Sequence, residues 1–139
     1  MNTKDDCIFC KIVAGKIPAV KVYEDSVVLA FMDIGPISDG HTLVIPKEHV
    51  EKVHQCNSEL MAQVWQVIIK VANAVSKALP SNGYNVLCNN GRSAGQLVDH
   101  MHFHIIPRNT DDGVFNRWPA YEYPQGKAQQ LAEKIKEYL

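Results

Sequence analysis

Neither sign of charge predominates in this sequence of 139 residues. Lysine and arginine together number 14, aspartate and glutamate number 15, and the formal net charge is -1. Proteins that bind polynucleotides carry clustered basic residues that neutralise backbone phosphates, and the sequence contains no such cluster. The composition therefore argues against a polynucleotide partner, and any phosphate bound by this chain is expected to belong to a small molecule.

Long apolar segments are also absent. No run of apolar residues approaches the roughly 20 that span a bilayer. Residues 1–6 are polar and acidic, unlike the apolar centre of a secretory signal peptide. We therefore expect a cytoplasmic protein with no membrane partner. The length suits one domain covering residues 1–139, which is large enough to bury its own core.

Cysteine is scarce, with four residues at positions 7, 10, 56 and 88. Structural disulfides are rare in the cytoplasm, so Cys7 and Cys10 indicate a metal half-site or a redox pair. A thioredoxin-like pair follows a strand and opens a helix, whereas residues 11–15 indicate a short turn. We therefore favour a metal half-site, for which six histidines offer further ligands. Cys56 and Cys88 stand alone and are expected to be structural.

Three of the six histidines occupy alternate positions in residues 100–106, and the residues between them are apolar. Strict alternation predicts a half-buried strand, because successive side chains of a strand point to opposite faces. The three imidazoles should therefore share one face, with Met101, Phe103 and Ile105 in the core. Two chemistries suit such a face. It suits a metal held by two or three rings, or a histidine nucleophile flanked by rings that bind a phosphate.

The rest of the chain predicts an α+β protein. Strands are predicted at residues 20–24, 27–32, 41–46 and 84–88, between turn residues. A long helix is predicted from a cap at Asn57 or Ser58 to about Leu79, and a last helix over 126–139. Together with the histidine strand, this order favours a mostly antiparallel five-stranded sheet with one long central helix and a C-terminal helix.

Two further segments carry functional signals. The long helix is apolar around much of its surface, including Trp65 and Ile69, which indicates either a wide core stripe or a second face buried in a homodimer. Residues 89–96 form a polar, glycine-containing loop directly before the histidine strand. Loops of this kind present amide groups that can bind a phosphate.

The His-x-His-x-His segment with apolar spacers resembles the signature of the histidine triad (HIT) family of nucleotide hydrolases and transferases. Residues 40–49, Gly-His-Thr-Leu-Val-Ile-Pro-Lys-Glu-His, resemble the second signature of that family. The resemblance spans about residues 5–108 and is greatest to the Hint-like branch with an N-terminal Cys-x-x-Cys zinc site. It implies a single HIT-like domain in which residues 109–139 are a variable C-terminal segment.

The resemblance also implies a mechanism. His102 would be the nucleophile, attacking the α-phosphorus of a nucleotide to give a nucleotidyl-histidine intermediate that water hydrolyses. The carbonyl of His100 would hold the proton on Nδ1 of His102 and leave Nε2 free. His104 would donate to phosphate oxygens, and His41 would lie near the leaving group as a candidate for proton transfer.

The ligands implied by the resemblance are a nucleotide and a metal. Asn89 and the amides of Gly95 and Gln96 would donate to the phosphate, Asp33 would accept from the ribose hydroxyls, and Ile34 would pack on a purine base. One structural zinc per chain would be held by Cys7, Cys10, His49 and His100, which closes its coordination sphere. A rival interpretation is a catalytic zinc enzyme that uses the triad histidines as ligands.

One position departs from the family pattern. Leu97 stands where the Hint and Fhit branches usually carry a serine or threonine that assists the leaving group. Residues 115–123, with Arg117 and Trp118, lie where family members differ in substrate preference. We expect a homodimeric hydrolase of nucleoside phosphoramidates or dinucleoside polyphosphates. The alternative, favoured by Leu97, is a nucleotide-binding or interaction module with weak residual hydrolase activity.

Overall fold

A five-stranded antiparallel sheet, in the spatial order β1-β2-β3-β5-β4, forms the centre of the computed structural model, which describes residues 1–115 and 119–139. The strands are β1 Lys21–Glu24, β2 Val28–Met32, β3 Thr42–Pro46, β4 Gly83–Leu87 and β5 Phe103–Arg108. The α-helices are α1 Ile8–Val13, α2 Ser58–Ala78 and α3 Lys127–Lys136. The predicted α+β class, five-stranded sheet, long central helix and C-terminal helix are confirmed.

The long helix α2 begins where the sequence predicts. The side chain of Asn57 accepts a hydrogen bond from the amide of Leu60 at 2.9 Å, so one of the otherwise unpaired amides of the first turn is satisfied. One side of the helix is buried on the sheet. On the other side Trp65 and Ile69 remain 44% and 66% exposed, so the chain alone does not bury the whole apolar surface of α2.

The two faces of the sheet are both covered. Residues with even numbers in β2 and β3, such as Ala30 and Val44, pack in the cluster beneath α2. Their neighbours Leu29, Phe31 and Leu43 point the opposite way and pack with α1. This alternation follows from the pleat of a strand and creates two apolar layers, of which the α1 layer contains the predicted metal ligands Cys7 and Cys10.

The prediction of a short turn at residues 11–15 is wrong. Helix α1 covers Ile8–Val13, and Sγ of Cys7 at its N-cap accepts a hydrogen bond from the amide of Cys10 at 3.5 Å. A six-residue helix is unstable in isolation. Its buried residues Phe9 and Ile12 pack against the sheet and supply stability that local sequence does not.

The histidine segment is a strand over only part of its predicted length. β5 pairs with β3 from Phe103 onward, and residues 100–102 precede this pairing. The amide of Met101 instead donates to the carbonyl of Val50 at 2.6 Å. The strand also continues through Pro107 to Arg108, paired with β4. Met101, Phe103 and Ile105 nevertheless lie in the α2 layer, so the predicted alternation of faces is correct.

The C-terminal helix α3 ends at Lys136, earlier than predicted, and buries none of its residues. Within residues 1–115 and 119–139, no helix combines the length and the apolar character that crossing a membrane requires. Arg117 and Trp118, singled out in the segment 115–123, lie outside the described residues.

Candidate active site and metal site

Four potential metal ligands meet in the α1 layer of the protein. Cys7 and Cys10 come from α1, His49 from the segment after β3, and His100 from the approach to β5, and all four are buried. Sγ of Cys10 lies 3.4 Å from Nδ1 of His49, and Sγ of Cys7 lies 3.5 Å from Nδ1 of His100. The four ligand atoms all lie within 4.8 Å of one another, so this cluster can hold a metal ion.

His100 is oriented for metal binding by a backbone carbonyl. Its Nε2 donates to the carbonyl of Pro46 at 2.8 Å. Since a neutral imidazole carries one N–H, Nδ1 retains its lone pair and faces the thiols. Burial lowers the pKa of His100 to about 4, which keeps the ring neutral at neutral pH. A neutral ring with a free lone pair is what a metal ligand requires.

His102 has the opposite arrangement. Its Nδ1 donates to the carbonyl of His100 at 2.6 Å, so in the neutral ring the lone pair is on Nε2. Burial lowers the pKa of His102 below its usual value, which favours that neutral form. The ring of Phe9 packs edge-on against it with centroids 5.1 Å apart. His102 is thus an oriented imidazole with a nucleophilic nitrogen available.

The third histidine of the segment pairs with His41. Nδ1 of His104 lies 2.8 Å from Nε2 of His41, and Nε2 of His104 is buried with no hydrogen-bond partner among the described residues. Burial, and to a smaller extent the neighbouring His102 and His41, lower the pKa of His104 to about 4. His41 is only 2% exposed and lies behind His104, and burial lowers its pKa as well.

Asp33 also approaches this pair, with Oδ2 3.5 Å from Nε2 of His41. Asp33, His41 and His104 each offer a ligand atom within 4.8 Å of the others. However, Nε2 of His41 and Nδ1 of His104 are hydrogen-bonded to each other, so they are not free to bind a metal ion. This arrangement favours a hydrogen-bonded group over a second metal site.

A cavity of about 260 Å³ adjoins His102 and His104. Its wall on one side is apolar and comes from α1 and the following turn. Its other side and rim come from the sheet and from the segment before β5. The lining comprises Ile8, Phe9, Ile12, Ile17, Pro18, Ala19, Phe31, Asp33, Ile34, Leu43, Gly95, Leu97, Val98, His102 and His104. Ile34 and Leu97 are 97% and 81% exposed, so these apolar side chains at the cavity are open to solvent.

The polar loop before β5 is held by its own hydrogen bonds. The side chain of Gln96 is buried, accepts from the amide of Gly91 at 2.7 Å and donates to the carbonyl of Glu51 at 2.8 Å. Gly95 adopts a φ of +90°, which favours glycine. The amides of Gly95 and Gln96 donate within the loop to Arg92 and Gly91 at 2.9 and 3.1 Å.

These features match a known family. The family model of the HIT domain matches residues 14–111. The chain belongs to the HIT family. The matched range contains every histidine discussed above, whereas Cys7 and Cys10 precede it, so the metal cluster joins the HIT domain to the N-terminal segment.

Similar proteins cover nearly the whole HIT chain. Adenosine 5′-monophosphoramidase from Schizosaccharomyces pombe is 50% identical over 130 residues, covering 93% of this chain and 95% of that protein. The crystal structure of a HIT family protein from Bacillus subtilis has a TM-score of 0.91 at 45% identity, covering 97% of this chain and 98% of that one. A histidine triad nucleotide-binding protein from Candida albicans has a TM-score of 0.84 at 40% identity, and each chain is covered to 96%.

The structure brings most of the predicted HIT residues together. Asp33, Ile34, Gly95, His102 and His104 line one cavity, and the four predicted metal ligands form one cluster. The remaining predicted residues, His41, Asn89 and Gln96, are not among the residues that line this cavity. The side chain of Asn89 donates to the carbonyl of Gly95 at 3.4 Å.

Sequence analysis missed the apolar wall supplied by α1. Phe9 and Ile12 line the cavity, and Phe9 contacts both His100 and His102. The signal was present in the sequence, since Ile8 and Ile12 stand four residues apart and a Cys7 N-cap precedes them. The interpretation of residues 11–15 as a turn hid this helical spacing.

Proposed function

We propose that this HIT protein hydrolyses nucleoside monophosphate derivatives at the α-phosphorus, through a covalent intermediate on His102. The observation that carries the proposal is the hydrogen bond from Nδ1 of His102 to the carbonyl of His100, which leaves Nε2 with its lone pair beside the cavity. In the first step a bond forms between Nε2 and phosphorus while the bond to the leaving group breaks, and the leaving group takes up a proton from solvent at the cavity. In the second step a water molecule attacks phosphorus and gives up a proton to solvent, and the bond to Nε2 breaks to release the nucleoside monophosphate and the neutral imidazole.

His104 is the proposed electrostatic partner of this reaction. Its buried, unpartnered Nε2 belongs to a residue that lines the cavity beside His102, with ring centroids 5.0 Å apart. A donor aimed at the non-bridging phosphate oxygens would stabilise charge that develops in the transition state. Asn89, Gly95 and Gln96 are proposed to complete the phosphate site, and the loop bonds of Gly95 and Gln96 are what would have to rearrange for their amides to donate to it.

The proposed nucleotide is a purine nucleotide. Ile34 is almost fully exposed at the rim of a cavity with an apolar wall, an arrangement suited to packing against a flat base. Asp33, on the same rim, would accept from the ribose hydroxyls. The leaving group is proposed to be an amine, as the name of the fission yeast phosphoramidase indicates for that relative, with dinucleoside polyphosphates as the alternative substrates.

One observation favours a second candidate function. Leu97 lines the cavity and offers no hydroxyl to the leaving group. A chain that binds nucleotides but turns them over slowly would be a binding or interaction module with residual activity. Leu97→Ser tests this: a large gain in turnover would identify Leu97 as the cause of slow hydrolysis, whereas unchanged, rapid turnover in both proteins would leave hydrolysis as the main function.

We further propose that the metal is one structural zinc per chain, held by Cys7, Cys10, His49 and His100. In a tetrahedral zinc site with Zn–S of about 2.3 Å and Zn–N of about 2.0 Å, neighbouring sulfur and nitrogen ligands lie about 3.5 Å apart. The three short S···N distances of the cluster are 3.4, 3.5 and 3.7 Å. Four protein ligands leave no open position for a substrate, so zinc would supply stability and the hydrolytic steps would belong to the histidines.

Three properties of the whole protein complete the proposal. The chain is proposed to function in the cytoplasm, where the free thiols of the metal cluster stay reduced. Residues 1–139 are proposed to form one domain with a variable C-terminal segment, 109–139, in which residues 115–123 adjust substrate preference. The chain is also proposed to form a homodimer through the outer side of α2, because Trp65 and Ile69 are exposed there and β4 is an edge strand. In light scattering, Ile69→Lys should halve the mass, while Ile135→Lys on α3 should leave the mass unchanged.

The reaction is tested with adenosine 5′-phosphoramidate and diadenosine polyphosphates. Turnover by the wild type and by His102→Ala is compared, and quenched reactions are examined by intact mass spectrometry. A nucleotidyl adduct on the wild type that is absent from the variant supports the proposal and ranks the substrates. If both proteins bind AMP but neither turns over a substrate, hydrolysis is rejected and the binding module is favoured.

A further inference from the structure

A chain of hydrogen bonds runs from the backbone after β2, through His41, to His104. The amide of Ile37 donates to Nδ1 of His41 at 3.1 Å. On the other side of the same ring, Nε2 lies 2.8 Å from Nδ1 of His104. The chain ends at Nε2 of His104, which is buried without a partner among the described residues.

The backbone amide fixes the direction of every bond in this chain. An amide N–H can only donate, so Nδ1 of His41 must accept and cannot carry a proton. The proton of the neutral His41 ring is therefore on Nε2, facing two acceptors, Nδ1 of His104 and Oδ2 of Asp33 at 3.5 Å. Since Nδ1 of His104 accepts in turn, the proton of that neutral ring is on Nε2, at the cavity.

We propose that His41 is a positioning residue that transfers no proton in the reaction and instead sets the tautomer of His104, because the amide of Ile37 fixes the tautomer of His41. The donor role of Nε2 of His104 toward a phosphate rests on the proposed function; the tautomers themselves do not. In this assignment His41 does not transfer a proton; it accepts a hydrogen bond from Ile37 and donates one to His104.

A proton-transfer role meets two obstacles at this position. Protonation of Nδ1 would place two N–H groups, those of His41 and Ile37, against each other. Transfer of the Nε2 proton to Nδ1 of His104, 2.8 Å away, would leave His41 with no proton on either nitrogen, as a buried imidazolate anion. His41 is also absent from the lining of the cavity. Burial lowers its pKa, which agrees with a ring that stays neutral.

The segment that carries the Ile37 amide is tied to the strand that carries His104. The hydroxyl of Ser38 donates to the carbonyl of Pro107, in β5, at 2.7 Å. The amide of His41 donates to the carbonyl of Ser38 at 3.1 Å, which closes the turn around Ile37. The donor amide and the ring that receives its effect are therefore held in one local framework.

The tautomers are measured directly by long-range ¹⁵N–¹H correlation NMR of the full-length, metal-loaded protein at neutral pH, without substrate. We expect protonated Nε2 and unprotonated Nδ1 for both His41 and His104. A proton on Nδ1 of either ring, or a doubly protonated His41, would overturn the proposal. The variant His54→Gln, at an exposed histidine outside the site, aids assignment and should leave the other histidine signals unchanged.

Two substitutions of His41 distinguish a residue that only relays a hydrogen bond from one that transfers a proton. Glutamine offers an acceptor and a donor at a spacing similar to that of the two ring nitrogens, but it does not titrate, whereas leucine offers neither. We expect His41→Leu to mix the tautomers of His104 and to lower kcat about 100-fold. We expect His41→Gln to keep the His104 tautomer, with a kcat within about tenfold of the wild-type value.

The combined measurements leave no outcome neutral. Retained tautomer with lost activity in His41→Gln shows that proton transfer is required and rejects the proposal. A retained His104 tautomer in His41→Leu rejects it as well. If His104 no longer keeps its Nε2 proton in a variant, and activity falls in that same variant, the result supports the proposal. If the wild type turns over no nucleotide, the proposed function fails, while the NMR result still decides the tautomers.

Discussion

His100 and His102 are two residues apart, lie on the same side of the chain, and present opposite nitrogens to their surroundings. His100 donates from Nε2 to the carbonyl of Pro46, which leaves Nδ1 free for the metal cluster. His102 donates from Nδ1 to the carbonyl of His100, which leaves Nε2 free for the cavity. The type of residue is identical, and a backbone carbonyl decides which nitrogen carries the lone pair.

The comparison teaches that the metal cluster and the cavity are separate in chemistry but joined in structure. Phe9 packs edge-on against both rings, with centroids 5.8 Å from His100 and 5.1 Å from His102. Removing the nucleophile should therefore affect one region, removing a ligand should weaken the fold, and removing Phe9 should disturb both.

The largest effect is expected from His102→Ala. Loss of the nucleophile should lower kcat by about 10⁴-fold or more, because the proposed reaction proceeds through a covalent bond to that nitrogen. Metal content should remain that of the wild type, since His100 keeps its bond to Pro46. Steady-state kinetics and metal analysis on the same sample measure both quantities. Equal loss of metal and activity would contradict the separation of the two regions.

Cys10→Ser should have the next largest effect, on stability. The remaining ligands would be buried without an adequate metal partner, so we expect the free energy of unfolding to fall by about 4 kcal/mol and the metal content to drop well below that of the wild type. Denaturant titration and metal analysis measure the two changes. The matched control is Cys88→Ser, a half-buried cysteine in the α2 layer, which should leave metal content unchanged. Full metal occupancy in Cys10→Ser would remove Cys10 from the ligand set.

Phe9→Ala should disturb both regions at once. Truncating this buried ring should lower the free energy of unfolding by about 3 kcal/mol, and should weaken metal retention and kcat together because Phe9 packs against both histidines. Chelator competition and kinetics measure the two effects. Tyr138→Ala, at an exposed position near the C-terminus, is the control and should change stability by less than about 0.5 kcal/mol. A change in only one region would show that Phe9 does not couple them.

The smallest effect is a pH dependence from the cavity side of the comparison. The folded-state pKa of His104 lies at about 4, below its usual 6.5. Between pH 4 and pH 6.5 the unfolded chain binds a proton at His104 that the folded protein does not. The contribution of His104 to the free energy of unfolding is therefore fully present above pH 6.5 and decreases as the pH falls toward 4. Unfolding measured at several pH values should show a shallower decline for His104→Gln. Identical slopes in the two proteins would argue against a depressed pKa.

Much of the fold and of the candidate site follows from local patterns. Alternation in residues 100–106 places Met101 and Phe103 in the α2 layer correctly, because a strand's pleat has a fixed period of two. The Asn57 cap and the apolar spacing after it locate α2 within a residue or two. The start of β5 at Phe103 could not be predicted from the sequence, because it depends on where the partner strand β3 stops pairing.

Two other hydrogen-bond directions, at His41 and at His100, could not be predicted from the sequence. The amide of Ile37 and the carbonyl of Pro46 decide which ring nitrogens carry protons, and neither group has a side-chain signature. The short helix α1 likewise depends on packing against the sheet, as six residues carry too little periodicity to identify a helix by themselves.

The position of α1 has a consequence for how the protein is made. Cys7 meets His100 across 93 residues of sequence, so the apolar wall of the cavity is synthesised well before the histidine segment that faces it. Contacts so distant along the chain form slowly. Phe9 therefore leaves the ribosome long before its neighbours His100 and His102, and the cavity is completed only after residue 104 has emerged and its strand has packed beside α1.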